Sequence, residues 1–379
     1  MFARRARAAR PPRGQGNDVN GKRLLVFGAL MAVGGALVAA CGGDDGAPAG
    51  TGTTAVDASP SASKVTLRLG YFPNITHAQA VIGVASGTFQ AELGSNVRLE
   101  TKIFNAGPAE IDALFAGEID AGFIGPSPAI NGYVKSNGEA LRVVAGGASG
   151  GALFIVRPEA NINGPNDLAG KVLASPQLGG TQDVALRAYI AAAGLKTREN
   201  GGKVTVQPLA NADTLTRFKQ GKLDGAWVPE PWATRLVQEA NGKVLVDEKA
   251  LWPRGQFATT NLIVSTKFLA THPDVVEALI RGEIKTIQFI QDKPEEAKKI
   301  VNDEIARITT AGLAPAVIDA AWKNLDFTWD PIAASLRKSA DDAFALGFLG
   351  SKKPDLSKIY DLTILNRVLA QLNLEAVKQ

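Results

Sequence analysis

Cysteine occurs once in these 379 residues, at Cys41, and histidine only twice, at His77 and His272. A lone cysteine cannot close an intramolecular disulfide, complete a Cys-based metal site or supply a Cys-His dyad in the body of the chain. His77 has no second and third ligand near it in sequence, so no metal is expected there. The chain also lacks Gly-Lys-Ser/Thr after a strand, GxGxxG and HExxH, the arrangements that cradle phosphates, bind dinucleotides or hold a catalytic zinc. No catalytic residue and no cofactor is therefore expected.

Basic surface is scarce as well, once its location is considered. The formal net charge is +4, yet residues 1–40 hold seven Lys and Arg against Asp18 alone, leaving 34 basic and 36 acidic residues elsewhere. A near-neutral body gives no electrostatic footprint for nucleic acid, which is not expected as a partner. The basic start precedes an apolar run, "LLVFGALMAVGGALVAA", and then Cys41. That order is the layout of an export signal, and "LVAAC" resembles a bacterial lipobox, in which the cysteine is lipidated and becomes the mature N-terminus. From Gly42 to Lys64 the chain is Gly, Ala, Ser, Thr and Pro with almost no large apolar side chain. Such a stretch cannot bury enough surface to fold and reads as a flexible tether.

What remains is globular in composition, and from Lys64 on it alternates two periods. "KVTLRLGYF", "VRLETKIF", "AGFIG" and "LRVVAGGA" read as strands, separated by helical stretches such as "PAEIDALFAG" and "SPAINGYVKS". Strand and helix in alternation predict an α/β fold with a parallel-type sheet. The pattern also repeats. "LRLGYFPNITHAQAVIG" matches "KVLASPQLGGTQDVALR", and "NAGPAEIDALFAGEIDAGFIGPSPA" matches "NADTLTRFKQGKLDGAWVPEPWA". An offset of about a hundred residues suits two similar lobes rather than a solenoid. The last third is mostly amphipathic helix, read over 273–291, 294–308, 314–324 and 331–346, and has too few strands for a domain of its own. The expected organisation is a signal peptide over 1–40, a lipidated tether over 41–64, lobe 1 from 65–152 plus 258–379, and lobe 2 from 153–257. Two crossings, at Gly151 to Arg157 and Gly255 to Leu262, would form a hinge.

In an open α/β sheet a ligand binds beyond the carboxyl ends of the strands, where helices start. Four turns qualify: "PNITHAQA", "IGPSPAI", "PQLGGTQD" and "WVPEPWA". Helix starts carry unpaired N–H groups and the positive end of the helix dipole, so they hold anions without Lys or Arg. Gly179 and Gly180 let backbone approach a ligand, while Thr181 and Gln182 add a hydroxyl and an amide. Thr181 and Ser127 are equally good helix caps. His77 could line a cleft, and Trp227 could pack on an alkyl group or in a core. Glu230 would repel an anion, so it caps the next helix, meets a positive group or faces a partner protein. Arg254, near the second crossing, is the one arginine considered for an anion contact.

Together "WVPEPWATRL", "LGGTQDVALR" and "GYFPNITHAQA" resemble the extracytoplasmic solute-binding proteins of ABC importers, in the nitrate, sulfonate and taurine group. The resemblance implies a two-lobed periplasmic-binding-protein fold of type II-like form that closes on a small solute. It maps ligand contacts to Thr76, His77, Ala78, Ser127, Gly179, Gly180, Thr181 and Gln182, with Trp227 and Glu230 matching a Trp-x-x-Glu-Pro segment of the group. It implies a small-molecule anion, most of all an aliphatic sulfonate, as ligand, an ABC permease as partner, a monomer, and a lipid anchor through Cys41 at the extracytoplasmic face of the bacterial cell membrane. Nitrate, or a heterocycle of the thiamine-precursor kind, is the alternative solute. An enzyme of thiamine-precursor type would need a Lys-bound cofactor and a histidine at the site.

Overall fold

The computed structural model describes residues 64–378. Residues 1–63, where a signal peptide, a lipidated Cys41 and a tether are expected, lie outside the described residues. No helix among those described is long and apolar enough to cross a membrane.

Eleven strands run along the described chain: β1 (Val65–Tyr71), β2 (Val97–Ile103), β3 (Ala121–Ile124), β4 (Leu141–Gly150), β5 (Ala152–Val156), β6 (Val172–Ser175), β7 (Thr205–Pro208), β8 (Gly225–Pro229), β9 (Lys243–Asp247), β10 (Ala258–Ser265) and β11 (Leu325–Phe327). They form two sheets. One has six strands in the order β11-β4-β10-β3-β1-β2, the other five in the order β7-β6-β8-β5-β9. Three strands at one edge of each sheet are parallel, β3-β1-β2 and β7-β6-β8, as strands joined through helices must be. The expectation of parallel-type sheets needs one correction, for both sheets are mixed. β10 runs antiparallel to β3 and β4, and β5 antiparallel to β8 and β9. β5 and β10 are the first strands met after the chain changes sheets, so each enters its new sheet from the opposite end and pairs against the grain.

The parallel strands β1, β3, β6 and β8 are buried along most of their length, and apolar clusters cover both faces of each sheet. The two sheets repeat even in detail. Asp120 accepts the backbone N–H of Arg68 at 2.9 Å, and Asp224 accepts that of Val172 at 2.8 Å. These are the matching aspartates of the sequence repeat, each tying the strand at the top of its βαβ unit to the loop before the next parallel strand.

The chain passes between the sheets at Gly150–Gly151 and again over 248–257. Residues 152–156, read as part of the first crossing, form strand β5, so the turn itself is the glycine pair just before it. Both glycines have positive φ, 80° and 72°, a backbone region that side chains other than glycine's rarely enter. The last third follows the helical reading closely, with helices Pro273–Asp292, Pro294–Thr309, Pro315–Trp322 and Ala333–Ala345. It also contains a further helix, Thr363–Gln371, and the short strand β11, too brief to show a period.

Candidate functional site

Five helices begin at the carboxyl ends of the parallel strands, and their first residues meet at one cavity between the sheets. Thr76 and His77 stand ahead of helix Ala78–Ala85, and Asn105 to Gly107 open helix Gly107–Phe115. Gly125 and Pro128 belong to the start of helix Pro126–Lys135. From the other sheet come Gly180, Thr181 and Gln182 of helix Thr181–Ala192, and Asn211 of helix Asn211–Lys219. None of the five N-cap residues, His77, Ala106, Gly125, Gly180 and Ala210, makes a side-chain capping bond. The first-turn N–H groups these ends carry are therefore unsatisfied by their own helices, apart from that of Ala78, which donates to the Ile75 carbonyl, and Pro108, Pro126 and Pro128, which have none. The positive ends of five dipoles share one small space.

The local sequence explains why these ends sit so close. Gly107 lies where a Cβ would collide with Pro128, so two helix starts of the same lobe pack backbone to ring. Gly125 lies where a Cβ would collide with the Thr181 hydroxyl, which brings the two lobes together. Gly179, at φ 74°, turns the loop after β6. Behind that loop the buried Asp183 accepts from Ser175 Oγ at 2.6 Å, from the Gly179 amide at 2.9 Å and from Arg187 Nε at 2.9 Å. Its charge is answered by the arginine, and the glycine turn is held from outside the cavity.

The cavity measures about 30 Å³, room for a water or two. Neither lysine, arginine, aspartate nor glutamate lines it. His77 does, but as a neutral ring. Its Nε2–H donates to the Phe123 carbonyl at 3.1 Å, which leaves Nδ1 to accept from Thr76 Oγ1 at 3.1 Å. Burial pushes the imidazole down to about 3, against a weaker pull upward from the Phe123 carbonyl. Two polar side chains facing this space are more than nine-tenths buried and have no partner: Thr181 Oγ1 and Asn211 Oδ1. Swinging the Asn211 amide over would present its NH₂ instead.

The structure brings Thr76, His77, Gly180, Thr181 and Gln182 to the cavity, and leaves the other expected residues outside it. Ala78 and Ser127 are buried within first turns whose neighbours do the lining. Gly179 spends its amide on Asp183. Trp227 is in the core of the second sheet, because strand alternation turns it toward Phe154 and Tyr189; it stacks on Phe154 at 5.2 Å and donates Nε1–H to Glu248 at 2.7 Å. Glu230 is fully buried and caps helix Trp232–Ala240, accepting from the Thr234 amide at 3.0 Å, Thr234 Oγ1 at 2.9 Å and Asn324 Nδ2 at 2.7 Å. Burial raises its carboxyl, against those three donors. Arg254 lies on the second crossing, at φ 57°, away from the lining. His272 is half-buried against Phe268. Among the described residues no group of His, Cys, Asp and Glu could hold a metal ion.

The residues missed by sequence reasoning are Asn105, Asn211 and Thr259, all at the lining. The first two had a signal, for they are the matching "Asn-Ala" landmarks that open the second half of each repeat. Asn74 was also missed. It lines the cavity and accepts the indole N–H of Trp232 from the other lobe at 3.0 Å.

Comparison with known proteins agrees with this architecture. The NMT1-like family matches residues 61–303. The taurine-binding periplasmic protein of Escherichia coli (strain K12) is 27% identical over 209 residues, 55% of this chain and 62% of that protein. The match thus spans less than two thirds of that relative's length. Among solved structures, the alkanesulfonate-binding protein SsuA from Xanthomonas axonopodis pv. citri, bound to MOPS, superposes with a TM-score of 0.65 at 19% identity, covering 78% of this chain and 97% of that one. The periplasmic nitrate-binding protein NrtA from Synechocystis PCC 6803 gives 0.66 at 15% identity, covering 82% and 89%. These likenesses show the two-lobed periplasmic-binding-protein fold.

Proposed function

The chain belongs to the NMT1-like family, and on that premise we propose that it is the solute-binding component of an ABC importer that captures a small organic oxyanion, a sulfonate, between its lobes. The observation that carries this reading is the meeting of five uncapped helix starts, three from one lobe and two from the other, at a cavity without a charged side chain. Such a site attracts an anion through backbone N–H groups and dipoles while leaving no fixed countercharge to neutralise when the site is empty. A solute touching both sets of helix ends would favour the closed arrangement by its differential affinity for it, which is the basis of closure about the two crossings. In this reading 65–152 plus 258–379 act as one lobe and 153–257 as the other.

A cationic heterocycle is less well served. Its natural counter-ion, Glu230, already has three donors on its carboxylate, and no acidic side chain lines the cavity. An enzyme of thiamine-precursor type would use a lysine at the site, and the lining has none. The names of the relatives point the same way as the geometry, to binding rather than catalysis. Export and a lipid anchor at Cys41, beside the permease that receives the solute, complete the proposal.

The test is calorimetric titration of the purified chain with alkanesulfonates, taurine, sulfate, nitrate and a thiamine-precursor pyrimidine. Saturable one-to-one heat with a sulfonate supports the reading; heat from the pyrimidine alone would overturn it. For the anchor, cells fed radiolabelled palmitate should label the wild-type chain and leave a Cys41→Ser variant unlabelled.

A further inference from the structure

We propose that anion capture is coupled to uptake of a proton, and that the proton is carried by Glu110, in the first turn of the helix Gly107–Phe115 whose start lines the cavity. The inference rests on the reading of the cavity as an oxyanion site and adds how that site responds to pH. Glu110 is fully buried, and neither of its carboxyl oxygens has a hydrogen-bond partner. The carboxyl lies in a notch in the floor of the first sheet. Gly70 of β1 and Gly122 of β3 are register partners, and a Cβ on either would collide with Glu110 Oε1. The second sheet lacks this notch. Ala174 and Ala226 pair at the matching positions, and Thr214 stands ten residues before Asp224, as Glu110 stands ten before Asp120. One lobe thus combines a short neutral side chain with two alanines, while the other has given up both Cβ atoms to seat a carboxyl. Burying a carboxyl without partners costs stability, and packing alone does not ask for one.

Burial holds this carboxyl protonated well above the usual carboxylate range. The charged groups on the elements around it are turned elsewhere. Arg68 of β1 is bonded to Asp120, and Lys102 of β2 pairs with Glu118. Tyr133 of the helix Pro126–Lys135 lies against Arg142, Lys135 is exposed in its last turn, and Asp112 is exposed on the helix of Glu110 itself. Burial pushes the Tyr71 hydroxyl of β1 up to about 12, and His77 at the cavity, near 3, changes charge only in acid. An anion in the cavity and an ionised Glu110 would draw on the positive end of the same helix, about 5 Å apart along its axis from Gly107 to Glu110. Like charges some 10 Å apart in buried surroundings repel enough to change an affinity roughly tenfold. Bound anion therefore raises the carboxyl further. Affinity is full while Glu110 is protonated, falls as pH rises through its value in the free protein and levels off above its value in the bound one; between the two, binding draws in part of a proton. Glu283, whose carboxyl is likewise buried without partners, belongs to the helix Pro273–Asp292, which contributes nothing to the lining.

The experiment is calorimetric titration of the full chain with methanesulfonate, ethanesulfonate and nitrate, none of which titrates, from pH 5 to pH 10. Each point is run in two amine buffers of different ionisation heat, since a sulfonate buffer would compete, and the series is repeated on Glu110→Gln and Glu110→Met, each checked by thermal melting. Wild-type affinity should fall roughly tenfold across the range, with buffer-dependent heat reporting proton uptake where it falls. Glu110→Gln keeps the shape and Glu110→Met removes the polar group; whichever folds should hold its acid-side affinity to pH 10 and take up no proton. Wild-type affinity that is flat with pH, or a fall that persists in the variants, overturns the coupling through Glu110 and leaves the oxyanion reading standing. If none of the anions binds at any pH, both fall.

Discussion

Gly125 and Thr181 face each other across the cleft so closely that a Cβ on Gly125 would collide with the Thr181 hydroxyl. They come from different lobes, and Gly125 has an ordinary φ of −70°, so alanine there is not a strained backbone. Its cost falls on the approach of the lobes. Gly125→Ala should therefore weaken solute binding by about tenfold or more, equivalent to some 1.4 kcal/mol, while the melting temperature of the free protein moves little because the lobes can part to make room. Calorimetry and a thermal melt on the same preparation check it; unchanged affinity would mean that this contact does not limit closure.

Thr181 itself should separate stability from affinity. Its hydroxyl is buried without a partner, a state that costs the free protein roughly 1–3 kcal/mol of desolvation. Thr181→Val keeps the shape and removes the hydroxyl, so the free protein should melt at the same or a higher temperature. Bound solute would lose a hydrogen bond to a charged group, worth about 1.5–3 kcal/mol, and affinity should fall by roughly tenfold to a hundredfold. If stability drops while affinity holds, Thr181 is a structural residue and the cavity's polar character lies elsewhere.

Much of this was readable beforehand, and what was not has physical reasons. The repeat located both halves of the site because each βαβ unit needs the same parts in the same order, down to Asp120 and Asp224 on the strand N–H groups of Arg68 and Val172. Helix starts at Thr76, Gly180 and Thr181 were legible because turn, glycine and hydroxyl mark them. Asn105 and Asn211, though marked by the repeat, were passed over because an asparagine at a helix start looks like a cap; in the fold the N-cap positions are Ala106 and Ala210. Trp227 failed for a different reason. Its position at a strand end was right, but the side of the sheet it faces depends on the pairing of Phe154 with Trp227, a long-range register invisible in local pattern. Glu230 lay at the right turn too, and its role was settled by Asn324, nearly a hundred residues away.

The glycine pair at the first crossing should show its importance against a matched glycine elsewhere. Gly151 has φ 72°, and a Cβ there would collide with the Leu325 side chain; Gly87 has φ 76° and open space around it. Alanine at either site carries the strain of a left-handed backbone, about 1–2 kcal/mol. Gly151→Ala adds the collision and should lower the melting temperature by several degrees more than Gly87→Ala does. Equal shifts would show that the crossing yields without loss.

Stability should also depend on pH through Glu248, which sits on the second crossing beneath two indoles. It accepts from Trp227 Nε1 at 2.7 Å and Trp252 Nε1 at 3.3 Å, and it is almost wholly buried. Burial pushes its carboxyl up to about 7 from an ordinary 4.5, with the two indole donors pulling the other way. Between those values the folded chain holds a proton that the unfolded chain has released. Stability from this group is therefore lost as pH rises through that window, by an amount of order 3 kcal/mol once the carboxyl is ionised. Glu248→Gln keeps an oxygen to accept from Trp227 and cannot ionise. Urea melts of the two proteins should show the variant gaining on the wild type by up to that amount from pH 5 to pH 8. Other titrating groups are common to both chains and cancel in the comparison, so a difference that stays constant with pH would mean that the buried carboxylate finds compensation when it ionises.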